Sequence, residues 1–123
     1  RTKMAYMDGY VLAIPEGNKE AYRKMAEKVA PIFQEFGATR VLEGWGNDVP
    51  HGKLTDFYMA TKAEEGETIV FSWVMWPDKA TRDAGWAKLM QDERMQPDGE
   101  SPFDGKRMFW GGFEPILDTG EAK

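Results

Sequence analysis

The sequence contains no cysteine among its 123 residues. That absence excludes a disulfide framework, a thiolate metal site and a cysteine nucleophile. Histidine is nearly as scarce, because His51 is the single example, and zinc sites need several nitrogen or sulfur ligands. Phosphate-binding and dinucleotide-binding glycine motifs are missing as well. The sequence therefore predicts a protein without a bound metal and without a cofactor.

Positive charge is also in short supply. The chain has 16 Lys and Arg against 21 Asp and Glu, which gives a formal net charge of −5. Because phosphate backbones require a cationic surface, we expect no nucleic-acid partner. The longest apolar run, from Ile69 to Trp76, is interrupted by Ser72, whereas a membrane span needs about 20 residues. We therefore expect no membrane partner, and, without a secretory hydrophobic segment, a cytoplasmic location.

What the sequence does contain indicates one folded domain. Hydrophobic residues make up 41% of the chain and aromatic residues 13%, which is more than a disordered chain of this length carries. The length fits a single domain, which we place at residues 4–118. Arg1, Thr2 and Lys3 are interpreted as a cloning remnant before Met4 as the natural start. Residues 119–123 are expected to be a frayed tail.

The hydrophobic periodicity predicts alternating strands and helices. Strands are predicted at 6–14, 39–46, 68–76 and 107–117, and helices at 18–36, across Pro31, and from Asp78 to near Asp92. The segment 54–62 is predicted to be a strand that continues 39–46 in the same direction beyond a loop at 47–53. Ala80, Ala84, Ala87 and Met90 are expected on the inward face of the second helix, opposite Asp83, Lys88 and Gln91, which are expected to face water. This order predicts an α+β fold of the ferredoxin-like β-α-β-β-α-β type.

Both faces of the predicted sheet are apolar. In the strand 68–76, Phe71 and Trp73 share one face while Val70 and Val74 share the other. Two helices can cover only one face, and monomers rarely expose a large aromatic patch. A second copy of the same sheet would cover it through a two-fold axis. The sequence therefore predicts a homodimer in which two sheets form a dimeric α+β barrel.

Four stretches of the chain carry a family resemblance. They are DGYVLAIPEGNKEAYRKMAEKVAPIFQEFGA at 8–38, EGWGNDVP at 43–50, EEGETIVFSWVMWPDKATRDAGWAKLMQDERM at 64–95 and PFDGKRMFWGGFEPILD at 102–118. Matching in order over nearly the whole chain, they resemble the DUF1428 family of small uncharacterised bacterial proteins. The resemblance implies a dimeric α+β barrel and a homodimer. It implies no established reaction.

Candidate ligand contacts are expected on the helix-covered side of the sheet, between the loop at 47–53 and the long loop at 93–106. The first loop brings His51 and Asp48, which could act as a base and its orienting carboxylate. The second loop delivers Arg107, which could hold an anionic ligand. Trp73 and Trp110 could supply flat apolar surface.

Each candidate also has a structural interpretation. His51 can be a solvated loop residue, Arg107 a structural ion-pair partner, and the tryptophans part of the core or of a dimer interface. The function we expect is that of a homodimer that binds a small molecule or has a structural role, without established catalysis. The alternative is a cofactor-independent enzyme, such as a small monooxygenase acting on an aromatic substrate, which rests on fold analogy alone.

Overall fold

The strands pair as one antiparallel sheet. A computed structural model describes residues 5–120. Within them the sheet is built from β1 (Tyr6–Pro15), β2 (Arg40–Trp45), β3 (Glu67–Trp76) and β4 (Phe109–Phe113), in the order β2-β3-β1-β4. β1 and β3 are central and pair over ten residues. This order confirms the ferredoxin-like α+β prediction. The suspected cloning remnant at 1–3, the start at Met4 and the tail residues 121–123 lie outside the described residues.

Helices α1 (Lys19–Glu35) and α3 (Lys79–Leu89) cover one face of the sheet. α1 passes through Pro31 to Glu35, which confirms that this proline does not end the helix. α3 is capped by Asp78, whose side chain accepts a 2.7 Å hydrogen bond from the Thr81 N–H. The helix-covered core contains Leu12, Ile14, Ile32, Phe33, Val70, Val74, Trp76 and Leu89. Within the described part of the chain, no helix is both long and apolar enough to cross a membrane.

The predicted strand at 54–62 is wrong, because this segment forms helix α2 (Phe57–Thr61). The Asp56 carboxylate starts the helix by accepting hydrogen bonds from the N–H groups of Met59 at 2.7 Å and Gly52 at 2.8 Å. Lys62, in the left-handed region with φ 55°, ends it. α2 packs on the second face of the sheet instead of extending β2. β2 pairs directly with β3 as an antiparallel neighbour, so the expected long interrupted strand does not form.

The face expected for α3 is also wrong, because Ala80, Ala84, Ala87 and Met90 are exposed. The buried positions are Gly85 and Leu89. A Cβ added at Gly85 would lie 2.7 Å from a ring carbon of Trp76 and 2.8 Å from the Phe36 carbonyl oxygen. Glycine therefore lets α3 lie directly against the tryptophan. The last strand is shorter than predicted, because Gly105–Arg107 forms a 3₁₀ turn before β4.

The second face of the sheet is only partly covered. α2 packs at one end of it, against Val11, Ala13 and Ile69. The remainder, which we name the open face, consists of Met7, Leu42, Phe71, Trp73, Met75, Phe109 and Phe113. Phe71 is 47% exposed, Phe109 44% and Phe113 56%. The apolar pattern of both sheet faces, read from the sequence, is thus present in the structure.

Candidate functional site

Polar side chains form a row across the helix-covered face of the sheet. Tyr10 of β1 pairs with Ser72 of β3, and Ser72 pairs with Glu43 of β2. Because these are direct cross-strand partners, their side chains point to the same face. That face is otherwise built from aliphatic and aromatic residues, so the row brings hydroxyl and carboxyl groups into an apolar layer.

Helix α1 places Tyr22 above this row. The Tyr22 hydroxyl donates a 2.7 Å hydrogen bond to Oε1 of Glu43. Burial raises the pKa of the Glu43 carboxyl, and the hydrogen bonds from Tyr22 and Ser72 oppose that rise only in part. Burial, followed by the charge of Glu43, raises the pKa of Tyr22 in turn. Glu43 and Tyr22 therefore form a pair that holds its protons more firmly than the same groups in water.

A cavity of about 130 Å³ lies between α1 and this row, and we name it the inner cavity. Its lining comprises Tyr10, Leu12, Tyr22, Met25, Ala26, Val29, Ala30, Phe33, Val41, Glu43, Ser72, Val74, Phe103 and Met108. The hydroxyl of Tyr10 is buried at this site, and no group among the described residues hydrogen-bonds it. Burial, followed by the charge of Asp8, raises the pKa of Tyr10, so the hydroxyl keeps its proton. The cavity is thus apolar, and one residue of its wall, Tyr10, carries a buried hydroxyl without a hydrogen bond among the described residues.

A second cavity, of about 190 Å³, adjoins the first and is named the outer cavity. It is lined by Lys19, Tyr22, Arg23, Ala26, Glu43, Gly44, Trp45 and Val70. Ala26, Tyr22 and Glu43 line both cavities. The hydrogen bond between the last two therefore lies between the cavities. Glu43 and Gly44 are exposed as residues on the edge strand, whereas the Glu43 carboxyl, hydrogen-bonded to Tyr22, is partly buried.

The loop before β4 covers α1 and the end of the inner cavity. Phe103 lines the cavity, and its ring lies 5.9 Å from the Tyr22 ring. The Asn18 side chain, at the start of α1, donates a 2.7 Å hydrogen bond to the carbonyl of Pro102. An ion pair of 2.7 Å joins Lys28 to Asp98. The loop therefore lies over the cavity through polar contacts with the first helix.

A buried ion pair fixes the neighbouring end of β1 to α3. The Asp8 carboxylate, which is fully buried, accepts hydrogen bonds from Arg82 at 2.7 and 3.0 Å. The indole N–H groups of Trp76 and Trp86 each donate to it at 2.9 Å. Arg82 is additionally flanked by the ring of Trp110, 5.9 Å away. This cluster holds β1 in place two residues before Tyr10.

The candidate residues from the first loop do not meet at the inner cavity. The His51 side chain is 79% exposed, its ring stacks on Tyr58 with centroids 4.3 Å apart, and its Nδ1 lies 3.8 Å from Asp56 rather than beside Asp48. Asp48 and Trp73 share a groove of about 340 Å³ beside the open face. The structure therefore brings these two together on the side of the sheet opposite to the one expected.

Arg107 and Trp110 are placed differently. Arg107 donates to both carboxylate oxygens of Glu67 at 2.7 and 2.8 Å and to Asp104 at 3.1 Å, which lowers the pKa of Glu67. This is the structural ion pair that the sequence left open as an alternative. Trp110 lies on the helix-covered face, stacked 6.3 Å from Tyr10. A ligand-binding role for these residues, and for His51, Asp48 and Trp73, stays a prediction.

Sequence reasoning missed Tyr10, Tyr22 and Glu43 altogether. One signal was available: Glu43 is a carboxylate within a predicted strand whose neighbours are apolar. Asp8 gave the same signal in the first strand. Within residues 5–120 the structure contains no group of three histidine or carboxylate side chains arranged to hold a metal ion. The site's chemistry is therefore that of phenols and one carboxyl in an apolar cavity.

Comparison with known proteins finds a matching family model and similar sequences. The family described as "Protein of unknown function (DUF1428)" matches residues 5–105. The chain is 60% identical over 116 residues to the uncharacterized protein YbaA of Escherichia coli K12, which covers 94% of this chain and 99% of that protein. The YbaA protein of Shigella flexneri matches with the same identity and coverage.

Solved structures resemble the fold at low sequence identity. A dimeric ferredoxin-like protein from an uncultured marine organism superposes with a TM-score of 0.61 and 11% identity, covering 95% of this chain and all of that one. A Bacillus cereus protein provisionally named an antibiotic biosynthesis monooxygenase superposes with a TM-score of 0.56 and 10% identity, covering 97% of this chain and all of that one. At this identity the likeness shows the fold alone.

Proposed function

Because the chain belongs to the DUF1428 family, whose function is unknown, we propose a function from the geometry of the site: the protein is a homodimer that binds a small molecule in the inner cavity. The observation that carries the proposal is an apolar cavity of about 130 Å³ with a buried hydroxyl that no described residue satisfies. Buried polar groups are normally hydrogen-bonded, and the exceptions are frequently functional. The cytoplasmic location stays a prediction from the sequence.

The binding proposal is tested by filling the cavity. Ala26 of α1 lines both the inner and the outer cavity, so Ala26→Leu reduces the space for a ligand. A metabolite library is screened by thermal shift, and a compound at one hundred times its Kd is expected to stabilise the wild type by about 2.7 kcal/mol, which is several degrees in Tm. Ala87→Leu on the exposed side of α3 is the matched control.

We expect hits to stabilise the wild type and Ala87→Leu but not Ala26→Leu. Hits that stabilise Ala26→Leu equally would place the ligand elsewhere. A library in which no compound shifts the wild type would contradict the proposal.

The homodimer is proposed from the open face. Three phenylalanines there are roughly half exposed, and Trp73 and Met75 belong to the same face. Apolar patches of this kind mark interaction surfaces, and a second copy offers a matching one. The dimeric ferredoxin-like neighbour shows that its own fold supports a dimer.

Sedimentation equilibrium tests the assembly, with two chains of 14.0 kDa expected per particle. Phe71→Lys should give monomers or aggregates, because it places an unpaired charge in the interface. Met90→Lys is the control, since Met90 directly follows α3, is exposed and does not belong to the open face. A monomeric wild type at micromolar concentration would refute the dimer.

A second candidate is the cofactor-independent enzyme considered from the sequence. The observation that favours it is the Tyr22–Glu43 pair at the wall of the inner cavity, since burial raises the pKa of Glu43 and a carboxyl in such a place can give or take a proton. An oxygen electrode tests the monooxygenase form. Aromatic hits from the screen should drive oxygen consumption by the wild type and not by Glu43→Gln. Absence of consumption with every hit rules it out.

A further inference from the structure

We propose that the second copy of this chain covers the open face and also packs against the flank of α2, so that Phe57 of each copy lies in the interface. This inference rests on the proposed homodimer. It adds a surface outside the open face and sets the direction of the two-fold axis. The continuity of the apolar surface, its area and the height of α2 each support one part of it.

The exposed flank of α2 continues the open face. The ring of Phe57 lies 6.0 Å from the ring of Phe71, and these residues are 42% and 47% exposed. Thr61, one turn later in α2, is fully buried, and the Tyr58 hydroxyl donates a 2.9 Å hydrogen bond to the Val49 carbonyl. These contacts hold the short helix on the sheet, so Phe57 stands at the border between the covered and the open part of this face.

The centre of the open face is low, which suits a second sheet. Gly9 of β1 and Gly111 of β4 are direct cross-strand partners there. A Cβ on Gly9 would lie 3.7 Å from the Phe113 ring, and one on Gly111 would lie 3.4 Å from it, so this ring lies across both glycines. Two such apolar sheet faces pack on each other at a distance of about 10 Å. A second copy offers the matching face.

The exposed area is large enough for the core of a dimer interface. Phe57, Phe71, Phe109 and Phe113 are between 42% and 56% exposed. Taking roughly 200 Å² for a whole aromatic side chain, these four leave about 400 Å² accessible. A stable interface buries about 800 Å² on each partner, so the four side chains supply about half of that area. The other residues of the open face and its rim supply the remainder.

The height of α2 decides how the second copy lies. A helix is about 10–12 Å across and stacked sheets are about 10 Å apart, so α2 fills the layer that the partner's sheet would occupy. α2 packs on Val11 and Ala13 of β1 and on Ile69 of β3, which are the two central strands. The partner's sheet therefore ends beside α2 and contacts its flank.

This placement selects the two-fold axis. For sheets packed with their strands roughly aligned, the axis runs either along the strands or across them. An axis along the strands would bring both α2 helices to the same end, each into the layer of the other copy's sheet. An axis across the strands places them at opposite ends. Phe57 then faces the end of the partner's sheet where Met7, Met75 and Phe113 are cross-strand neighbours.

The test compares Phe57→Ser with Met59→Ser on the same helix. Both residues are 42% exposed, but they are two positions apart, so their side chains point to different sides of α2. In sedimentation experiments Phe57→Ser should raise the dimer dissociation constant at least about tenfold, because a symmetric dimer loses the contact twice. Met59→Ser should leave the constant unchanged. Circular dichroism checks that both variants fold.

Hydroxyl-radical footprinting of the wild type gives a second measurement that needs no variant. Oxidation of Phe57 should be lower in the dimer than in the dilute monomer, because the partner covers its ring. Oxidation of Met90, which is 80% exposed and lies outside the proposed interface, should be the same in both. Equal oxidation of Phe57 in dimer and monomer would overturn the inference.

Single cysteines test the axis, because the chain has none of its own. Phe57→Cys mixed with Met75→Cys should give a cross-linked product of two 14.0 kDa chains with a short bismaleimide, and neither variant alone should do so. A cross-link in Phe57→Cys alone would place the two α2 helices side by side and refute the axis. Absence of a product in the mixture would refute it as well.

The outcomes separate this inference from the proposed function. A monomeric wild type means that the proposed homodimer itself fails. If the wild type is a dimer that Phe71→Lys dissociates and Phe57→Ser leaves intact, the open face is the interface and the role of α2 is refuted. If Phe57→Ser and Met59→Ser weaken the dimer equally, the flank is not the contact, and the inference is refuted again.

Discussion

Removal of the Asp8 carboxylate should destabilise this protein more than any exposed charge change. The side chain is fully buried and accepts hydrogen bonds from three residues, namely Trp76, Trp86 and Arg82. Asp8→Ala would leave the Arg82 guanidinium, which is 14% exposed, with Asp83 as its remaining ion-pair partner. It would also leave the indole N–H groups of Trp76 and Trp86 without their acceptor. The damage is therefore both electrostatic and a loss of hydrogen bonding.

The magnitude follows from the burial of the pair. Breaking a buried ion pair by deleting one partner costs about 3–5 kcal/mol, and each unsatisfied buried donor costs about 1–3 kcal/mol. These penalties overlap, because the same groups are left unpaired. We take about 4 kcal/mol as the expected loss for Asp8→Ala, which corresponds to a fall in Tm of roughly 10–20 °C for a domain of this size. Asp8→Asn keeps one acceptor oxygen and should lose less.

Urea denaturation at pH 7, followed by tryptophan fluorescence and circular dichroism, measures the change in unfolding free energy. Glu20→Ala is the control, because Glu20 forms an exposed ion pair with Arg23 and should leave the midpoint unchanged. The double variant Asp8→Asn/Arg82→Met should lose less unfolding free energy than the two single variants lose together, since the partners share one interaction. An Asp8→Ala midpoint equal to that of Glu20→Ala would refute the buried pair as a stabilising contact.

Three further outcomes are expected. Gly85→Ala should destabilise the protein by thermal melting although alanine favours helices by about 1 kcal/mol, because its Cβ would lie 2.7 Å from Trp76; an increase in Tm would refute this close approach. Arg107→Ala should lower the free energy of unfolding at pH 7 by about 1–3 kcal/mol. Because the Arg107–Glu67 pair lowers the pKa of Glu67, the difference between wild type and variant should disappear as pH falls through that pKa. A difference that persists in acid would contradict this role of the pair. Burial of its carboxyl raises the pKa of Glu43, so the stability that Glu43 contributes is present below its unfolded pKa and lost as pH rises through the folded pKa. Glu43→Gln should remove that decline from urea melts recorded across the pH range. An unchanged pH profile would refute the raised pKa of Glu43.

The hydrophobic period of long segments was sufficient to predict most of the fold. The strand at β3 alternates apolar side chains that the structure places on two faces, and α1 repeats them at helical spacing across Pro31. Such patterns act through local geometry, because side chains two residues apart share a strand face and those three or four apart share a helix face. The sequence pattern alone therefore predicts which residues share each face of the sheet.

Short segments and small residues defeated the same reasoning. The five residues of α2 are too few to show a period, and their helix depends on the Asp56 cap and on packing against Val11 and Ile69. In α3 the alanines suggested the buried face, yet the contact is made at Gly85, where the absence of a side chain admits Trp76. Tertiary approach distances, rather than hydropathy, decided that orientation.

By itself the sequence determined the class of fold, its two apolar sheet faces and the absence of cysteine chemistry, because these depend on composition and on periods of two to four residues. Only the tertiary structure decided the site. Asp8 bonds Trp76 and Trp86 across 68 and 78 positions of sequence, and Tyr22 reaches Glu43 across 21. Such pairs follow from strand order and helix placement, which local patterns do not encode. The inner cavity likewise lies between α1 and the row that Tyr10, Ser72 and Glu43 form across three strands.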